Sequence, residues 1–88
     1  MTQLTTKYGN PAPSTQVIEH HEDGRTFYSY GTPIATRRYD GTVELYPAWN
    51  ASQTTTYYRN QFLGETTPET RRKLDDGTYI KGPGNWED

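Results

Sequence analysis

Eighty-eight residues, 30% of them hydrophobic, make one domain with one modest core and leave little room for a large enclosed active site. Nine Lys and Arg against eleven Asp and Glu give a net charge of -2, so no global positive field draws the chain to a phosphate backbone, and any nucleic-acid contact must come from a local patch. The absence of cysteine excludes disulfides, thiolate catalysis and cysteine zinc sites, and with no apolar run resembling a signal peptide or a membrane helix of roughly 20 residues, a soluble intracellular protein without membrane contact is expected.

Residues 1–15, MTQLTTKYGNPAPST, are polar, Thr- and Pro-rich and without period, and read as a flexible or extended arm. A single domain is expected over residues 16–81 and a second loose tail, GPGNWED, over 82–88. Asp23-Gly24 and Asp40-Gly41 each sit between β-prone runs, the pattern of a two-residue hairpin turn, so two hairpins are expected, separated by Gly31-Thr32-Pro33. A two-residue loop at Asp40-Gly41 places Arg37 opposite Glu44 and Thr36 opposite Leu45, with Ile34, Thr36, Val43 and Leu45 sharing one face. The first hairpin alternates less cleanly: Ile18, His20 and Phe27 fall on one side, Val17, Tyr28 and Tyr30 on the other.

From Gln53 onward the pattern turns helical. Thr55, Tyr58 and Phe62 form a narrow stripe that can pack on a sheet, while Thr56, Arg59 and Asn60 are expected to point elsewhere. Gly64 supplies a left-handed stop, and Thr66-Thr67-Pro68-Glu69 starts a second helix with a Thr cap, an early Pro and a capping-box Glu, ending at Gly77. Residues 78–81 read as a short final strand that returns to the sheet edge. The expected fold is α+β: a small antiparallel sheet of two β-hairpins packed on two short helices, with room for a C-terminal edge strand.

Chemistry-bearing clusters are sparse. His20 and His21 lie among Glu19, Glu22 and Asp23, but adjacent strand residues point to opposite faces, so the two imidazoles do not converge on one ion and the cluster reads as strand-end polarity. Glu19 with His20 and Asp75 with Asp76 are the nearest pairings for acid-base work, yet Asp75-Asp76-Gly77 reads as a helix end. Ser14, Ser29 and Ser52 lack the glycine context of an activated nucleophile, and no Walker loop or GxGxxG is present. No enzyme, metal or cofactor is expected. Arg71, Arg72 and Lys73 are the densest positive run, but Glu69 lies four before Lys73 and the arginines lie four before Asp75 and Asp76, which suits a solvated, internally paired face.

The start of the first helix is more informative. Thr54, Thr55, Thr56, Tyr57, Arg59 and Asn60 combine hydroxyls, unpaired backbone N–H groups, a ring and a planar cation, suited to a phosphate or carboxylate and equally to a protein interface. The plainer reading is that the threonines cap the helix and the rings pack on the hairpins. Trp49 is expected to close the core beside this helix and Trp86 to stand free in the tail. The expected contact residues are Tyr57, Arg59, Asn60, Arg71 and Arg72, with Tyr28 or Tyr30 as supporting rings.

An aromatic strand at 28–30, a T-x-I-A strand at 32–35, Asp40-Gly41, Trp49, the Thr run at 54–56, Arg59-Asn60, Phe62-Leu63-Gly64, a Thr/Glu/Arg helix at 69–74 and a closing G-x-Y at 77–79 follow one another in order. In this, residues 27–80 resemble a family of short proteins encoded by tailed bacteriophages. The resemblance brings no catalytic residues and implies an accessory role rather than housekeeping metabolism. The expected function is therefore a non-catalytic phage accessory binding protein acting in the host cytoplasm, which engages a host protein or defence-system component and blocks it by occupancy, a counter-defence inhibitor. Two rivals are a small nucleic-acid-binding regulator and a homo-oligomer that sequesters a small phosphorylated nucleotide between Tyr57 and Arg59 of neighbouring chains.

Overall fold

The computed structural model describes residues 4–86. Strands β1 (Gln16–His20), β2 (Gly24–Ser29), β3 (Thr32–Arg38) and β4 (Val43–Leu45) are followed by helices α1 (Gln53–Leu63) and α2 (Thr67–Asp75) and a last strand β5 (Ile80–Lys81). They form one sheet in the order β1-β2-β3-β4-β5. The first four strands are a continuous antiparallel meander, because β2 pairs with β3 as well as with β1. The final strand does return to the edge, but it joins β4 in parallel, so the sheet is mixed.

The Asp-Gly pairs do lie at the β1–β2 and β3–β4 connections, but neither is a two-residue turn. The two-residue turn is Tyr30-Gly31, flanked by the Ser29–Thr32 pair, with φ of 53° and 78°. Both central residues at positive φ is what a type I′ hairpin turn requires. Gly24 is not a turn residue but the first residue of β2, paired with Arg38; a Cβ there would strike the Arg37 carbonyl oxygen and come within 2.7 Å of the Arg38 Cα. Asp40-Gly41 belongs to a three-residue loop: the Gly41 N–H donates to the Arg38 carbonyl, the Arg38 N–H donates to the Thr42 carbonyl, and Gly41 has φ of 94°.

That extra loop residue slips the β3–β4 register by one. Arg37 lies opposite Val43, Thr36 opposite Glu44 and Ala35 opposite Leu45, so Thr36 leaves the face it was expected to share with Val43 and Leu45. Glu44 pairs with Arg38 at 2.7 Å rather than with Arg37. An irregularity between Phe27 and Tyr28 sets Tyr28 against Pro33 and leaves Ile34 unpaired in the register, fully buried nonetheless. The first hairpin keeps its expected sides, with Ile18 opposite Phe27 and Val17 opposite Tyr28.

On the helix side, Phe27, Ala35 and Leu45 meet Tyr58, Phe62 and Leu63 of α1 in the core, with the Phe27 and Phe62 ring centroids 6.0 Å apart. The Ser29 and Thr55 hydroxyls, 2.9 Å apart, fasten the start of α1 to the sheet. The opposite side carries a chain of hydrogen bonds running His21 Nε2, Thr26 Oγ1, Thr36 Oγ1, Tyr46 OH at 2.9, 2.8 and 2.8 Å. Helix α1 is capped by Ser52, whose hydroxyl accepts from the Thr55 N–H, and ends at Gly64 with φ of 72°. Helix α2 opens with the full capping box of Thr66 and Glu69. The described parts of the end segments, residues 4–15 and 82–86, are tied to the domain: Leu4 is buried in the core, Gln61 exchanges two hydrogen bonds with the backbone of Thr5, and Trp86 folds back, half-buried, to donate to the Gly82 carbonyl.

Candidate binding surface

Of the expected contact residues, Arg59 moves furthest from its expected place. Its side chain is 0% exposed because α1 buries the whole arc Thr55, Tyr58, Arg59, Phe62, Leu63, the i, i+3, i+4, i+7, i+8 spacing of a wide helix stripe. The guanidinium donates to the Trp49 carbonyl at 2.7 Å, to Asn50 Oδ1 at 3.3 Å, to Asn60 Oδ1 at 2.9 Å and to Thr67 Oγ1 at 2.8 Å. It also lies over the Trp49 ring, 5.1 Å from its centroid. Burial pulls its pKa down to about 10, against the raising influence of the Glu65 charge, so the group stays cationic at neutral pH. Arg59 therefore stitches the turn before α1 to the start of α2, and offers no charge to a ligand at the surface. Asn60, half-buried, serves the same stitch.

A second polar cluster went unread in the sequence. Glu65, between the two helices, has a side chain only 5% exposed and holds Lys73 Nζ at 2.8 Å. It also accepts from the Thr70 and Tyr79 hydroxyls. Burial alone raises its carboxyl, but the donors Lys73, Thr70 and Tyr79 outweigh this and hold it below its ordinary value. The Tyr79 phenol is pushed up to about 12 by burial and by the same carboxylate. Lys73 thus turns to Glu65 instead of Glu69, which is engaged in capping. Neither Arg71 with Asp75 nor Arg72 with Asp76 closes to ion-pair distance. Arg71 lies over Trp49, 5.1 Å from the ring centroid. Both arginines are exposed and, with Pro68, Asp75 and Asp76, line a shallow concavity of mixed charge.

The remaining residues, the tyrosines, do come together. Tyr57 and Tyr30 line one open groove of about 730 Å³ with Tyr8, Tyr58, Thr6, Lys7, Asn10, Pro13, Gln53 and Thr54. The arm after Leu4 forms one wall, the Tyr30-Gly31 turn a second and the first turns of α1 the third. Tyr8, Tyr30 and Tyr57 are 79%, 65% and 41% exposed, whereas Tyr58 is buried and packs edge-on against Tyr57 at 5.0 Å. Tyr30 also borders a neighbouring concavity with Tyr28, Val17 and Glu19, so it is shared between the groove and the concavity that Tyr28 lines. Tyr8 lies outside the expected contact set because a polar arm without period gives no sign of packing except Leu4, its one aliphatic residue among those described apart from Ala12.

His21 Nε2 lies 3.4 Å from Glu19 and in hydrogen-bond contact with Thr26, and among the described residues no three His, Asp or Glu side chains gather as a metal site would require. No helix among the described residues is long and apolar enough to cross a membrane. Comparison with curated proteins and with solved structures finds no match. A family model matches residues 2–77, and so takes in the arm that carries Tyr8 as well as the sheet and both helices. By that match the chain belongs to DUF8033, a family of unknown function.

Proposed function

We propose that this protein is a non-catalytic binding protein that works by occupancy, and that the tyrosine groove is the surface that engages its partner. The observation that carries this reading is Tyr30. It is the one non-glycine residue at positive φ among those described, at a turn position where Asn or Gly sits at less cost, and it spends that strain on displaying a mostly exposed ring. Local strain kept where the fold does not need it points to function. Tyrosine supplies large, rigid contact area with a polar tip, the chemistry of protein interface hot spots.

Taken with the resemblance to tailed-phage proteins, the reading becomes a phage accessory protein that blocks a host protein or defence-system component in the host cytoplasm. Tyr8, Tyr30 and Tyr57 are its contact residues and Tyr28 a supporting ring. Arg59 drops out of the contact set, which leaves nucleotide sequestration between Tyr57 and Arg59 without its cation. Arg71 and Arg72 share their surface with Asp75 and Asp76, which weakens a phosphate-backbone reading.

Tagged protein recovered from infected cells and examined by native mass spectrometry tests this. The wild type is expected to carry a stoichiometric host protein, and Tyr30→Asn and Tyr57→Ala to lose it while remaining folded. Relieving the turn strain should leave Tyr30→Asn as stable as the wild type or more stable by about 1 kcal/mol. A partner retained by both variants, or a bound small molecule in place of a protein, would sink the proposal.

A further inference from the structure

We infer that the groove takes an extended, proline-containing peptide segment carrying an acidic residue, an inference that rests on the groove being the docking surface argued above. Peptides are held on protein surfaces in a few recurring ways, and the lining chemistry separates them. Adding a strand needs an unpaired sheet edge, yet no lining residue belongs to a strand: Tyr30 is a turn residue, and the others lie on α1 or in the arm. Seating an amphipathic helix needs a trough of aliphatic side chains, and no Leu, Ile, Val or Met lines this groove. Capturing a phosphorylated motif needs clustered arginine, and the guanidinium nearest along α1, that of Arg59, is buried and committed to Trp49, Asn60 and Thr67.

What the groove offers is rings and neutral polar groups: three exposed tyrosines, with the side-chain amides of Asn10 and Gln53 beside them. A polyproline II segment presents the complement. Its carbonyls have no internal partners, so tyrosine hydroxyls and amide N–H groups can donate to them, and its pyrrolidine rings lie flat on aromatic faces with little conformational freedom to lose. Charge narrows the partner further. Lys7 is the charged residue of the lining and lies over the Tyr8 ring at 5.2 Å; α1 has no acidic residue in its first turn. An acidic residue in the segment meets a cation and no opposing carboxylate among the lining residues.

The test is a titration of the isotope-labelled full chain, followed by amide chemical shifts, with a blocked polyproline peptide ending in two aspartates. The same peptide ending in two lysines and an acidic amphipathic helical peptide run beside it. Saturable shifts are expected at residues 6–13, 30–31 and 53–58, with the aspartate form bound about two- to five-fold more tightly than the lysine form, and Lys7→Glu reversing that order. The inference is overturned if neither polyproline peptide gives saturable shifts, if the shifts fall elsewhere, or if the acidic helix binds as tightly. A host protein captured by the wild type and lost in Tyr30→Asn, alongside silent polyproline titrations, removes this peptide class and keeps the docking surface. Polyproline binding at the groove without any captured host protein keeps the peptide class and removes the proposed block of a host protein.

Discussion

Arg59 shows how a single residue can look like a ligand-binding group and turn out to be structural. Its charge suggests the surface, yet the spacing 55, 58, 59, 62, 63 places it inside the wide apolar arc of α1, and Leu63, four residues on, marks the same arc in the sequence. A buried guanidinium is tolerable here because carbonyl and hydroxyl oxygens take up four of its N–H contacts, although Nε has no partner. Truncating it leaves the Trp49 carbonyl, the Asn60 amide oxygen and the Thr67 hydroxyl short of a donor and opens a void beneath Trp49. Arg59→Ala is therefore expected to cost about 3 kcal/mol or more, with a drop in Tm of roughly 4–8 °C for each kcal/mol in a domain of this size. Arg59→Lys should recover little, since one ammonium cannot span Trp49 and Thr67 as the planar fork does. Thermal and urea unfolding check this, and a wild-type midpoint in Arg59→Lys would contradict it.

At the scale of elements, the order of strands and helices, the stop at Gly64 and the capped start of α2 were legible, because Gly64, the Thr66–Glu69 box and period-2 runs each act locally; the cap of α1 is Ser52 rather than one of the expected threonines. The lengths of the turns were not, because two Asp-Gly pairs in sequence do different physical jobs. Gly41 is a conformational glycine at φ of 94° with nothing within 4 Å of its missing Cβ, whereas Gly24 is a packing glycine against the Arg37–Arg38 backbone. A side chain at Gly24 must push β3 off β2, so Gly24→Ala is expected to destabilise by about 1–3 kcal/mol. Gly41→Asn should cost within about 1 kcal/mol, since Asn tolerates the left-handed region. Urea midpoints of the two variants separate the roles; the opposite ranking would return Gly24 to a turn. The groove was half legible on the same grounds: Tyr57 and Tyr30 stood out, but their meeting with Tyr8 depends on Leu4 docking, a long-range contact that a lone aliphatic residue in a polar arm signals without placing.

For the whole molecule, the modest aliphatic content means that closure depends on polar ties between segments, and Glu65 makes one that reaches the last strand. It links the turn between the helices to Lys73 on α2 and to Tyr79, the residue before β5, so its charge holds the last strand against β4. Because its folded pKa lies below the ordinary 4.5, its contribution is fully present above about pH 4.5 and is lost as pH falls through the lower folded value. Tyr79 works in the other sense: its folded value of about 12 exceeds the ordinary 10.0, so its share is present below pH 10 and lost as the pH climbs towards 12. Glu65→Gln is expected to cost about 2–3 kcal/mol at neutral pH by leaving Lys73 without its anion, and the gap to wild type should close on acidification below pH 4.5. Hydrogen exchange sharpens the test, because the amides of Ile80 and Lys81 should lose protection before those of β2 and β3 as the tie is released. A stability gap that stays constant from neutral to acid pH would mean that the Glu65 charge does not hold β5, and that the sheet closes on its apolar contacts alone.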